Sequence, residues 1–155
     1  MNKPHPARLL VFSVCMMALT AIAVAQAPHT PKAGSAERQA ICDGMRDFVK
    51  GTALKPLPKP VVFKISNLRV LGDYCFIECL PMFKDGSDAV PEFLPDVGYM
   101  HCLKKERGAW KVVLDLSRTD VPSDGEVREI RRSLPPDFPL AVLSDFWRDL
   151  FAKTK

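Results

Sequence analysis

The hydrophobic pattern changes period three times along the chain. Leu9 to Ala25 is a continuous apolar run, interrupted only by Ser13 and Thr20. A helical period follows. Ile41, Met45 and Phe48 fall at i, i+4 and i+7, and Cys42 and Val49 widen the stripe. Ser35 is placed to cap a helix running to about Lys50, and Gly51 to stop it. Pro56, Pro58 and Pro60 then alternate, which favours a stiff extended connector.

A period of two begins at Val61. Val61, Phe63 and Ile65 share a face, whereas Leu68 and Val70 are out of phase with them. One extra residue at Ser66-Asn67 restores the phase, which predicts a β-bulge. Gly72-Asp73 marks a turn into a second strand from Tyr74 to about Phe83. There Cys75, Ile77 and Cys79 alternate with Tyr74, Phe76 and Leu80. Asp85 to Asp96 reads as a loop. Tyr99–Lys104 and Ala109–Leu116 are the third and fourth strands, turned by Glu106-Arg107-Gly108. In the fourth, Trp110, Val112, Leu114 and Leu116 are expected on one face.

The helical period returns after that. Ser123 and Glu126 have capping-box spacing, ahead of Val127, Ile130 and Leu134. Pro135-Pro136 ends this helix. Asp137 is the expected cap of a last helix, with Leu140, Leu143, Trp147 and Leu150 as its buried stripe. Strands in one run and helices in others mean an α+β fold. The expected architecture is an N-terminal helix packed on a four-stranded antiparallel meander, followed by two C-terminal helices.

The 155 residues suffice for one domain. Lys3 and Arg8 precede the apolar run, and Ala23-Val24-Ala25 closes it with an A-x-A signature. Residues 1–25 therefore read as a secretory signal peptide, residues 26–34 as a flexible leader and residues 35–155 as a single α+β domain. The expected location is periplasmic or secreted, without stable membrane insertion after cleavage. Cleavage removes Lys3 and Arg8, so the formal charge falls from +4 to +2. That small excess is no argument for nucleic acid.

Cleavage also removes Cys15 and leaves Cys42, Cys75, Cys79 and Cys102. An even count in an exported chain predicts disulfides, with buried thiols as the alternative. Three connectivities exist. Cys75 and Cys79 lie four apart on one strand, about 13 Å at 3.3 Å per residue, which excludes their pairing and with it Cys42–Cys102. The hairpin sets Cys79 roughly opposite Cys102, which favours Cys79–Cys102 with Cys42–Cys75.

Candidate chemistry is sparse. His101 and Cys102 are neighbours on a strand and point to opposite faces, so they do not form a nucleophile pair. Cys75-x₃-Cys79 on a strand does not converge on a metal. No catalytic residue, metal or cofactor is assigned. Asp73 and Asp120, at strand ends, are the polar positions of interest. Lys104, Lys105, Arg107 and Lys111 form one basic cluster and Arg128, Arg131 and Arg132 another; both read most simply as solvated faces.

The stretch Val62 to Ile77, containing Leu68-Arg69-Val70-Leu71-Gly72-Asp73, and the stretch Cys102 to Val113, containing Leu103-Lys104-Lys105 and Gly108-Ala109-Trp110-Lys111-Val112-Val113, resemble a group of small exported bacterial proteins of uncharacterised function. Those proteins carry LRV-x-GDWAF and LLKK-x-x-G-x-WKVV segments. Arg38 to Arg46 resembles the preceding helix, and Thr119-Asp120-Val121 the segment closing the sheet. The likeness spans residues 36–121. Tyr74-Cys75 stands where the pattern has Trp-Ala, and Cys75 and Cys79 look like additions. The helix-then-meander order is also similar to the nuclear transport factor 2-like and cystatin-like folds, which implies fold alone.

The expected function is a non-enzymatic module that binds a protein of the cell envelope, of inhibitor or immunity type. The alternative is a small-ligand pocket protein or enzyme of nuclear transport factor 2-like architecture. That alternative requires one cavity lined by Phe63, Phe76 and Trp110.

Overall fold

The structure, a computed structural model, describes residues 27–89, 92–118 and 120–154. The apolar run and its A-x-A signature lie outside the described residues. Helix α1 spans Ala36–Thr52, and the Ser35 hydroxyl accepts the Arg38 N–H at 3.3 Å. Strands β1 (Val61–Leu71), β2 (Tyr74–Phe83), β3 (Tyr99–Glu106) and β4 (Ala109–Asp115) form one antiparallel sheet in sequence order. Helices α2 (Asp124–Ser133) and α3 (Asp145–Lys153) follow. The α+β order expected from the periodicity is therefore the observed one.

The sheet lies between two apolar layers. On its helix face, Ile41, Met45 and Val49 of α1 pack on Val61, Val70, Cys75, Ile77, Leu103 and Trp110. On its tail face, Val127 and Ile130 of α2 and Trp147 and Phe151 of α3 pack on Tyr74, Phe76, Cys102 and Leu116. The helix crosses β4 very closely at Gly44: a Cβ there would stand 2.3 Å from the Trp110 carbonyl oxygen. The β3–β4 hairpin turns on Arg107 and Gly108, both with positive φ, 51° and 86°. That handedness matches the twist of the strands it joins.

Both irregularities of the sheet are single-residue insertions. Ile65 pairs with Cys79 and Asn67 with Glu78, so Ser66 is extra, as its phase predicts. Val61, Phe63, Ile65, Leu68 and Val70 all join the same cluster as a result. The second insertion corrects the expectation for β4. Cys102 pairs with Leu114 and Leu103 with Val112, which leaves Val113 unmatched. Trp110 and Val112 therefore stay on the helix face, while Leu114 and Leu116 turn to the tail face.

Residues 29–30 of the expected leader lie against β1: His29 exchanges both backbone hydrogen bonds with Val70, at 2.9 and 2.8 Å, and the Thr30 hydroxyl donates to the Leu68 carbonyl. An edge strand offers unpaired backbone groups, and residues 29–30 take some of them. The last helix starts later than Asp137. Leu140–Val142 is a separate 3-10 turn, and Ser144 precedes α3. Asp137 instead accepts the Tyr74 hydroxyl at 2.6 Å, with Lys104 3.5 Å from its other oxygen.

Candidate functional site

The tail helices cover only part of their face. They pack on the end of the sheet that holds Tyr74, Phe76, Cys102 and Leu116. At the other end, alternation from Phe63 and Cys79 puts Val62, Lys64, Glu78 and Leu80 on the tail face. Val62 pairs with Met82, Lys64 with Leu80 and Glu78 with Met100, so these side chains form a contiguous field across three strands. Val62 is 36% and Leu80 41% exposed. A shallow cleft of about 350 Å³ runs through the field, lined by Lys64, Ser66, Glu78, Leu80, Tyr99 and Met100. Neither Lys64 nor Glu78 makes an ion pair among the described residues. The opposite face at this end is closed by Ala89, Phe93 and Leu94 of the β2–β3 loop.

The four described cysteines are unbridged in this structure and they divide between the layers. Cys75 and Cys79 join the helix-face core, whereas Cys102 joins the tail-face core and stands opposite Phe76. Cys79 stands opposite Tyr99 instead. The expected Cys79–Cys102 bridge is thus corrected: the sheet itself separates the two sulfurs. Cys42, on α1, is near enough to Cys75 and Cys79 that its charged form would act on both. Burial pushes all four thiols upward, Cys79 to about 12, so none is a thiolate near neutrality.

The cavity expected between Phe63, Phe76 and Trp110 is also corrected. Phe63 and Trp110 belong to the helix-face cluster and Phe76 to the tail-face cluster, with the sheet between them. Asp73 and Asp120 are both exposed and lie at opposite ends of the sheet. Asp73 sits in the β1–β2 turn, where its carbonyl accepts the Lys105 N–H. Asp120 follows Arg118, whose carbonyl accepts the Gly98 N–H at the start of β3.

One constellation escapes sequence reading. The insertion at Val113 turns Asp115 back opposite His101. His101 is fully buried, edge-on to Phe48 of α1 with ring centroids 4.7 Å apart. Its Nε2 faces Asp115 Oδ1 at 3.3 Å and Ser117 Oγ at 3.4 Å. A serine–histidine–aspartate relay needs the carboxylate on one ring nitrogen and the hydroxyl on the other. Here both oxygens share Nε2, and Nδ1 is buried without a partner among the described residues. Burial lowers the imidazole pKa to about 4 against the opposing pull of Asp115, so the ring is neutral. This is a packed core histidine with one hydrogen-bonding edge.

Two of the four cations of the hairpin cluster have acidic partners. Lys104 lies 5.0 Å over the Tyr74 ring and pairs with Asp137, and Lys111 pairs with Glu106 at 3.8 Å. Among the described residues no helix is long and apolar enough to cross a membrane, and no group of three or more acidic, histidine or cysteine side chains is arranged to hold a metal. Comparison of the chain with family models, with curated proteins and with solved structures gave no match.

Proposed function

We propose that this is an exported, non-enzymatic protein-binding module of the periplasm, of inhibitor or immunity type. The observation that carries the reading is the bare end of the tail face. Val62 and Leu80 are exposed large apolar side chains on a sheet face whose other end is covered by the tail helices. Contiguous apolar surface rimmed by charge is the composition of a protein-docking patch. The rim here is Lys64 and Glu78, both without ion pairs among the described residues. A rigid sheet supports such a patch without any reacting group, which is what an inhibitor requires. Export is supported by the A-x-A-terminated apolar run.

The test is capture from a periplasmic extract with the mature protein and with its Leu80→Asp variant. A protein retained by the first and released by the second supports the reading. Equal retention by both, or none by either, sinks it.

No two of the described cysteines stand at disulfide distance here; in an oxidising compartment we propose that α1 shifts towards β2 so that one staple joins Cys42 to Cys75. Two thiols lose two protons and two electrons to the disulfide of a thiol oxidoreductase, which is reduced to a dithiol. Cys102 stays a thiol. Non-reducing peptide mapping of exported protein should yield a linked 42–75 peptide pair; a linked 79–102 pair would contradict the layering of the sheet.

A further inference from the structure

Three guanidinium groups cluster where α2 and α3 end together. Arg128, Arg131 and Arg132 line a notch of about 420 Å³ with Thr154. All three arginines are exposed. Arg131 is held in place: its Nη1 donates to the Phe151 carbonyl at 2.9 Å, which ties α2 to the last turn of α3. Arg128 and Arg132 have no hydrogen-bond or ion-pair partner among the described residues. Arg46, Arg69 and Arg148, by contrast, each face an aspartate.

The arrangement opposes itself electrostatically. Arg128 lies at i−3 from Arg131 and i−4 from Arg132, the two spacings at which like charges meet on a helix and destabilise it. The helix dipole accounts for cations in a last turn, and so for Arg131 and Arg132. It does not account for Arg128, which lies further up the helix. The acids of α2 are Asp124, one turn before Arg128, Glu126, whose carboxylate is held by Ser123, and Glu129, between the arginines in sequence; none forms an ion pair with them. A multivalent oxyanion placed among the three would turn repulsion into attraction. Guanidinium forks match the oxygens of a phosphate group two at a time.

We propose that the notch formed by Arg128, Arg131 and Arg132 is a phosphate-group binding site, at the opposite extreme of the chain from the leader and separate from the bare end of the sheet. The ligand chemistry is a phosphate monoester or diester, reached either on a soluble molecule or on the headgroup of an anionic phospholipid.

Two arms separate those sources. Pyrophosphate is titrated into ¹⁵N-labelled mature protein while the arginine Nε–H signals are followed. Separately, the protein is pelleted with phosphatidylcholine vesicles with and without phosphatidylglycerol. Saturable shifts in the pyrophosphate arm indicate a soluble ligand, and pelleting restricted to anionic vesicles indicates a headgroup; either supports the site. The Arg128→Gln/Arg132→Gln double variant, altered only at exposed positions, should weaken whichever response occurs by about tenfold or more. Lys105→Gln/Arg107→Gln at the β3–β4 turn removes the same charge elsewhere and should leave it within about twofold. Silence in both arms overturns the proposal. Equal loss in the two double variants overturns it too, because net charge and not the notch would then be the cause.

Discussion

The two faces of the sheet are finished differently. The helix face is closed along its whole length, by α1 over β4 and β1 and by the β2–β3 loop beyond Phe83. Its approach is close enough that Gly44 meets the Trp110 backbone. The tail face is closed over only one end, by short helices joined through extended turns. Core-forming work is thus concentrated on the first face and on half of the second. The remaining half leaves Val62 and Leu80 exposed. Substitution should separate the two behaviours, because a covered position answers in stability and a bare one in binding.

The largest effect is expected where the tail face is covered. Trp147 is fully buried, with ring contacts to Phe146 and Phe151 at 5.6 and 5.9 Å. Trp147→Ala should cost about 4 kcal/mol in urea unfolding, the usual range for deleting a buried aromatic. A loss below about 1 kcal/mol would mean that the tail helices are held by something other than this side chain.

The helix face should respond to acid. His101 titrates near 4 when folded, because burial disfavours its charge, against about 6.5 when unfolded. Between those values the unfolded chain binds the extra proton. The stability contribution is complete above pH 6.5 and is lost as pH falls towards 4, by up to about 3 kcal/mol. The pull of the half-exposed Asp115, which raises the imidazole pKa, is already contained in the folded value of about 4. Unfolding midpoints compared with those of His101→Gln should show a steeper decline for the wild type across this window. Parallel curves would mean that the ring is not buried neutral.

Gly44 gives a smaller change on the same face. A Cβ would meet a backbone carbonyl, which has no rotamer by which to move aside. Gly44→Ala should therefore destabilise by about 2 kcal/mol despite the better helix propensity of alanine. A stabilised variant would show that α1 can lift away from β4 at little cost.

What sequence reading recovers, and what it misses, follows from contrast in the pattern. The Ser66 insertion is visible because Phe63, Ile65 and Leu68 break phase across polar neighbours. The Val113 insertion is hidden because Val112, Val113 and Leu114 are all apolar and any phase fits them. From that hidden residue came the wrong faces for Leu114 and Leu116, and the unseen meeting of His101 with Asp115. Cys79–Cys102 failed for another reason: the hairpin register was off by several residues, since Cys102 stands opposite Phe76. The docking of His29 on Val70 uses backbone groups alone, which leave no trace in side-chain periodicity. Asp137 looked like a helix cap because Asp commonly caps, but Tyr74 holds its carboxylate instead.

The bare end of the tail face should show the smallest effect on stability and the clearest effect on function. Leu80 is 41% exposed and stands outside the cluster that the tail helices cover. Leu80→Lys exposes no new core and leaves the backbone pairing with Lys64 in the ladder intact. Its unfolding free energy should stay within about 0.5 kcal/mol of wild type, the range of ordinary surface substitutions. The introduced ammonium would face Lys64 directly across the strands, a like-charge penalty of only about tenths of a kcal/mol. If the variant unfolds as readily as Trp147→Ala, then Leu80 is a core residue and the half-face is not a docking surface. If it melts with wild type and loses the captured protein, the division between the covered and the bare ends of this face is a division of labour.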